Sequence, residues 1–105
     1  MIEREAKIVN PLGLHARPAA EFVKTAGRFT CDVRVSKDGV TVNGKSILGM
    51  MALAAECGSS LGLRTDGDDA AAAMDALLAL VADGFHEMHL TGNEEEEVNE
   101  EDERA

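Results

Sequence analysis

The chain has 105 residues, with 10 basic and 20 acidic side chains and a formal net charge of −10. That length suits one domain with one core, and a negative balance with three Phe as the only aromatic residues argues against a nucleic-acid partner. No apolar run is long enough to span a bilayer and the opening Met1-Ile2-Glu3-Arg4-Glu5 does not read as a signal peptide, so the expectation is a cytoplasmic protein without membrane insertion.

Residues 2–9, with Ile2, Ala6, Ile8 and Val9 apolar, read as a first strand, and Asn10-Pro11-Leu12-Gly13 as a turn. From Ala16 the residues Ala19, Ala20, Phe22, Val23 and Ala26 recur at helical spacing, and Gly27 supplies a stop. Cys31, Val33 and Val35 alternate with Asp32, Arg34 and Ser36, the period of a half-buried strand. Asp38-Gly39 is a hairpin signal, followed by a short strand over Val40-Thr41-Val42 and a turn at Asn43-Gly44.

Ser46 precedes a short helix, residues 47–53, with Leu53 assigned to the core; Gly58-Ser59-Ser60 breaks it. Leu61 and Leu63 mark a fourth strand that ends near Thr65-Asp66-Gly67. Asp68 or Asp69 can cap a last helix, whose buried stripe is read as Ala72, Ala73, Ala76, Leu77, Leu80 and Val81, with Gly84 as its stop. Residues 85–91 form a short extension with no evident structural type. The tight 38–39 turn demands an antiparallel pair, so the order βαββαβα implies an α+β fold with helices on one face of the sheet.

Eight acids and one base fall in residues 94–105, a net of −7, which leaves −3 for residues 1–93. The expected organisation is a domain over 1–92 and an acidic, disordered C-terminal tail over 93–105, whose plainest role is solubility. Cys31 and Cys57 lack a CxxC spacing and read as two buried, reduced thiols. His86 and His89 stand three apart, but the sequence offers no third metal ligand outside the acidic tail. No P-loop or GxGxxG occurs, and neither a cofactor nor a metal is implied.

The most informative stretch is Gly13-Leu14-His15-Ala16-Arg17-Pro18-Ala19-Ala20. His15 stands where a turn gives way to a helix, beside unpaired N–H groups that favour an anion. Pro18 is tolerated in the first turn, and the small Ala16, Ala19 and Ala20 leave room for another protein. A neutral imidazole is a nucleophile near neutral pH, and the Arg17 fork suits phosphate oxygens. Spacing alone leaves open a histidine that merely caps a helix beside an unrelated arginine.

This stretch resembles the signature of the HPr family, the histidine-containing phosphocarriers of the bacterial phosphoenolpyruvate-dependent phosphotransferase system. Gly13, His15, Ala16, Arg17, Pro18 and Ala19 match, and the resemblance runs over about residues 3–84. It implies an open-faced β-sandwich, a four-stranded antiparallel sheet with three helices. By this resemblance the Nδ1 atom of His15 accepts and donates a phosphoryl group, and Arg17 supports the phosphate. The implied partners are Enzyme I as donor and EIIA domains as acceptors, so the protein is a carrier more than a stand-alone catalyst.

The resemblance extends to Lys45-Ser46-Ile47-Leu48-Gly49-Met50-Met51. Ser46 reads from the sequence as an N-cap; in the family the matching serine is a regulatory phosphorylation site, which would add an HPr kinase/phosphorylase to the partners. Ala16, Ala20, Lys24, Lys45, Ile47, Leu48 and Met51 match positions that dock partners. Gly27 and Gly49 stand where many relatives carry lysine, which weakens steering toward an acidic partner. Sugar uptake and the nitrogen-related regulatory branch both use this chemistry, and the residues before His15 lean toward the second. Two other classes use some of the same residues: an HPr-like regulatory module that selects partners by phosphorylation state, and an acidic metal-binding protein using His86, His89 and the acidic tail.

Overall fold

In a computed structural model, residues 1–88 are described. The expected tail over 93–105 and the end of the 85–91 extension lie outside them.

Four strands, β1 (Ile2–Lys7), β2 (Asp32–Lys37), β3 (Val40–Asn43) and β4 (Ser60–Asp66), form one antiparallel sheet in the order β1-β4-β2-β3. Three helices, α1 (Ala16–Ala26), α2 (Ile47–Ala52) and α3 (Ala70–Ala82), are followed by a short 3₁₀ turn, Gly84–His86. The strand period settles which side is buried. Val33 and Val35 lie opposite Thr65 and Leu63, and Ala6 lies opposite Leu61; all six are buried. The residues between them, such as Arg64 on β4 and Arg34 on β2, form the opposite face.

Phe22 from α1, Met50 from α2 and Leu77 from α3 are completely buried against that inner face. Each such side chain contributes about 1.5–3 kcal/mol through area removed from water. Gly44 allows the β3–α2 turn to sit tight on this core, since a Cβ there would lie 2.5 Å from Val33 Cγ1.

Four local expectations need correction. β1 ends at Lys7, although Ile8 keeps the inward alternation: it is buried and pairs with the turn after α2, donating to Ser59 O and accepting from Gly58 N. Cys57 is exposed in that same turn, whereas Cys31 is buried as expected. The stripe of α3 is Ala70, Ala73, Met74, Leu77, Leu80 and Val81; Ala72 faces solvent. An all-alanine start carries no bulky side chain to show which of its faces is inward.

The fourth concerns Asp69, which stands at the N-cap of α3 but does not cap it. Its carboxylate accepts from the N–H groups of Thr30 and Cys31 at 2.8 and 2.9 Å, tying α3 to the segment entering β2. The Thr30 bond, more than any other contact, holds the Asp69 carboxyl below its ordinary range. Burial pushes the Cys31 thiol up, and the neighbouring Asp69 carboxylate pushes it the same way. A carboxyl that binds its proton less readily when folded adds stability above about pH 4, its unfolded value, and that stability is lost as pH falls through the lower folded value. Asp69→Ala therefore melts below the parent at pH 7, and thermal melts should show the gap narrowing below about pH 4. A gap that is absent, or constant with pH, contradicts this role.

Candidate functional site

The loop before α1 is set by Asn10 and Gly13. Asn10 is fully buried, and its Nδ2 donates to the Gly13 carbonyl at 2.7 Å, closing the turn from within. Gly13 has φ +71°, and a Cβ there would lie 2.7 Å from the Ala55 carbonyl oxygen, so both conformation and space require glycine. Leu14 N–H then donates to that same Ala55 oxygen at 2.8 Å, which fixes the end of α2 against the residue before His15.

His15 follows in an extended conformation as the N-cap residue of α1. Its side chain makes no capping bond, so the alternative of a helix-capping histidine does not describe it. Instead Nε2 lies 2.9 Å from Oε1 of Glu87. An ionised carboxylate only accepts, so with Glu87 ionised this contact makes Nε2 the donor, and a neutral ring protonated there has its lone pair on Nδ1.

Glu87 lies 72 residues after His15 in the chain, and no sequence periodicity points to it. It is 2 % exposed. Oε1 also accepts from Asn10 Nδ2 at 3.3 Å, while Oε2 makes no hydrogen bond among the described residues and lies 3.9 Å from Arg17 Nη1. A buried carboxylate is costly unless paired, so His15, Asn10 and Arg17 together hold this charge in place.

An uncommon backbone delivers Glu87. Gly84, Phe85 and His86 have φ values of +65°, +56° and +64°, a left-handed turn after α3. Phe85 and His86 are not glycine, and each such residue costs about 1–2 kcal/mol. Burial of the Phe85 ring offsets that cost and turns the chain after it toward His15. Gly84 is legible in the sequence as a helix stop, and Glu87 is not. Its one available signal was a large aromatic residue directly after a helix stop, which has to fold back to be buried.

The other candidate residues share one face. Lys45 Nζ donates to Phe29 O at 2.6 Å, so the start of α2 lies by the end of α1, while the Leu14–Ala55 bond puts the end of α2 by the start of α1. The two helices therefore run in opposite directions, side by side. Ala16, Arg17 and Lys24 are exposed and Ala20 is half-buried on α1. On α2, Ile47, Leu48 and Met51 are exposed, Leu48 at 82 %, because Met50 and Leu53 serve as its core contacts. Ser46 caps α2, its Oγ accepting from Gly49 N–H at 3.1 Å. No group of three or more potential metal ligands occurs among the described residues. His86 contacts Asp83, Glu87 turns inward, and His89 lies outside the described residues.

The model of the family described as "PTS HPr component phosphorylation site" matches residues 2–83. The chain belongs to the HPr family. A phosphocarrier protein HPr of Cupriavidus necator is 51 % identical over 87 residues, which cover 83 % of this chain and 98 % of that one. The HPr-like protein Crh of Halalkalibacterium halodurans is 47 % identical over 81 residues, covering 77 % of this chain and 96 % of the relative. Among solved structures, an HPr from Thermoanaerobacter tengcongensis superposes with a TM-score of 0.80 at 45 % identity, over 83 % of this chain and 98 % of the other. No described helix is long and apolar enough to cross a membrane.

The left-handed turn makes Gly84 the position at which the geometry of this HPr-family site is most exposed to change. A Cβ there would meet the Met88 side chain as well as the φ penalty. Gly84→Ala should cost at least about 1 kcal/mol in chemical denaturation. An unchanged midpoint would contradict the role given to this turn.

Proposed function

We propose that this HPr-family chain relays a phosphoryl group from phospho-Enzyme I to EIIA domains through Nδ1 of His15, in the cytoplasm. The hydrogen bond from His15 Nε2 to the buried Glu87 carboxylate carries this reading. It holds the ring with a nucleophilic lone pair on Nδ1, at the start of an 11-residue helix. In transfer, that lone pair forms the new N–P bond as the donor's bond to phosphorus breaks, and the ring keeps its proton on Nε2 toward Glu87. The reverse displacement passes the group to the acceptor.

Charge on the phosphoryl oxygens needs compensation. The N–H groups at the start of α1 point outward from its first turn, and Pro18 removes only a donor that the helix would leave unpaired. Arg17 is half exposed, so its guanidinium has room to move from Glu87 to an incoming phosphate.

Ser46 is the regulatory position in this reading, a substrate for an HPr kinase/phosphorylase. It lies on the face that Ala16, Ala20, Lys24, Lys45, Ile47, Leu48 and Met51 offer to partners. A phosphate there places negative charge beside Lys45 and opposes an acidic docking surface.

Phosphoenolpyruvate with Enzyme I should label the protein with acid-labile, alkali-stable phosphate. His15→Ala abolishes the label, Arg17→Ala slows labelling about tenfold or more, equivalent to about 1.4 kcal/mol of barrier, and Ser46→Asp slows it with the fold intact. Full labelling of His15→Ala would overturn the assignment, and an unchanged rate in Ser46→Asp would remove inhibition by charge.

A further inference from the structure

The described residues end at Met88, one position beyond the carboxylate that contacts His15 and lies by Arg17. The sequence after Met88 is the most strongly charged part of the chain: residues 94–105 carry eight acids and one base. The face beside that exit carries a small excess of the opposite sign. Arg17 and Lys24 are exposed along α1, and Lys45 is anchored across from the end of α1. Glu21 stands one turn from both Arg17 and Lys24 on the same strip of α1, and Glu56 is the acid at the His15 end, so these three cations are set against two acids. Leu48 and Met51 share the face with these cations, exposed and without cover among the described residues.

We propose that the acidic segment 93–105 docks in cis on this α1–α2 face and competes with acidic partners for it. This rests on the phosphocarrier reading for its consequence, though not for the contact itself. Geometry allows it: Met88 to Glu94 spans up to about 20 Å when extended. The rise along α1 from Ala16 to Lys24 is about 12 Å. The acids therefore reach every cation on the face. A short tether gives an effective concentration in the millimolar range, enough for a weak electrostatic contact to be populated. Attraction between solvent-exposed charges is screened beyond about 10 Å at 0.1 M salt, so the contact weakens as salt rises.

The test compares the full chain with a variant lacking residues 93–105, and with a full-length variant in which Glu94, Glu95, Glu96 and Glu97 are all replaced by Gln. Amide shifts at Arg17, Lys24, Lys45 and Ile47 to Met51 should differ between parent and deletion at about 20 mM salt. The quadruple variant should move part of the way, and the differences should vanish by about 0.5 M salt. Phosphorylation of His15 by phospho-Enzyme I should be several-fold faster in the deletion at low salt, with the rates converging at high salt. Identical spectra overturn the docking, and shifts that depend on protein concentration assign the contact to a second copy instead. Shift differences without a rate difference overturn the competition. Absence of phosphorylation in every variant counts against the carrier reading, and the spectra still decide the docking.

Discussion

The arrangement around His15 depends on one buried negative charge. Glu87 brings a carboxylate to 2.9 Å from Nε2 of a ring that would otherwise choose between two tautomers. With Nε2 donating to an ionised Glu87, the lone pair of a neutral ring falls on Nδ1, the atom to which the proposed relay assigns the phosphoryl group. The cost lies in backbone conformation, three successive positive φ angles after α3, and Phe85 offsets it by burial. Asn10 couples the same carboxylate to the turn before α1, so the imidazole and the loop that presents it are held by one group.

The remainder of the fold aligns two helices side by side. Lys45 closes one end of the α1–α2 pair through Phe29, and Leu14 closes the other through Ala55. The pair offers an open face that combines exposed apolar residues with cations, the face to which the proposed relay assigns partner docking. Ser46 serves this face twice, as the cap that starts α2 and as a hydroxyl next to Lys45 in the chain.

Much of this was legible in the sequence because it depends on local pattern. The alternation of Cys31, Val33 and Val35 marks an inward face, and the Asp38-Gly39 turn makes the pairing antiparallel. Gly13 to Ala20 announces a turn, a helix start and a histidine between them. The features that escaped are those made by distant residues. Asp69 reads as a cap until Thr30 and Cys31 are seen to claim its oxygens. Ala72 and Ala73 cannot be ranked by size, and Cys57 looks like any other small apolar residue until its turn is placed at the surface. Glu87 looks like one more acid before an acidic run, and only the left-handed turn gives it a partner.

The most direct measurement is a long-range ¹H–¹⁵N spectrum of the His15 ring, recorded with the imidazole neutral and again after phosphorylation. The contact with Glu87 requires the proton on Nε2 in the first and phosphorus bonded to Nδ1 in the second. A ring protonated on Nδ1, or a phosphoryl group on Nε2, would contradict it.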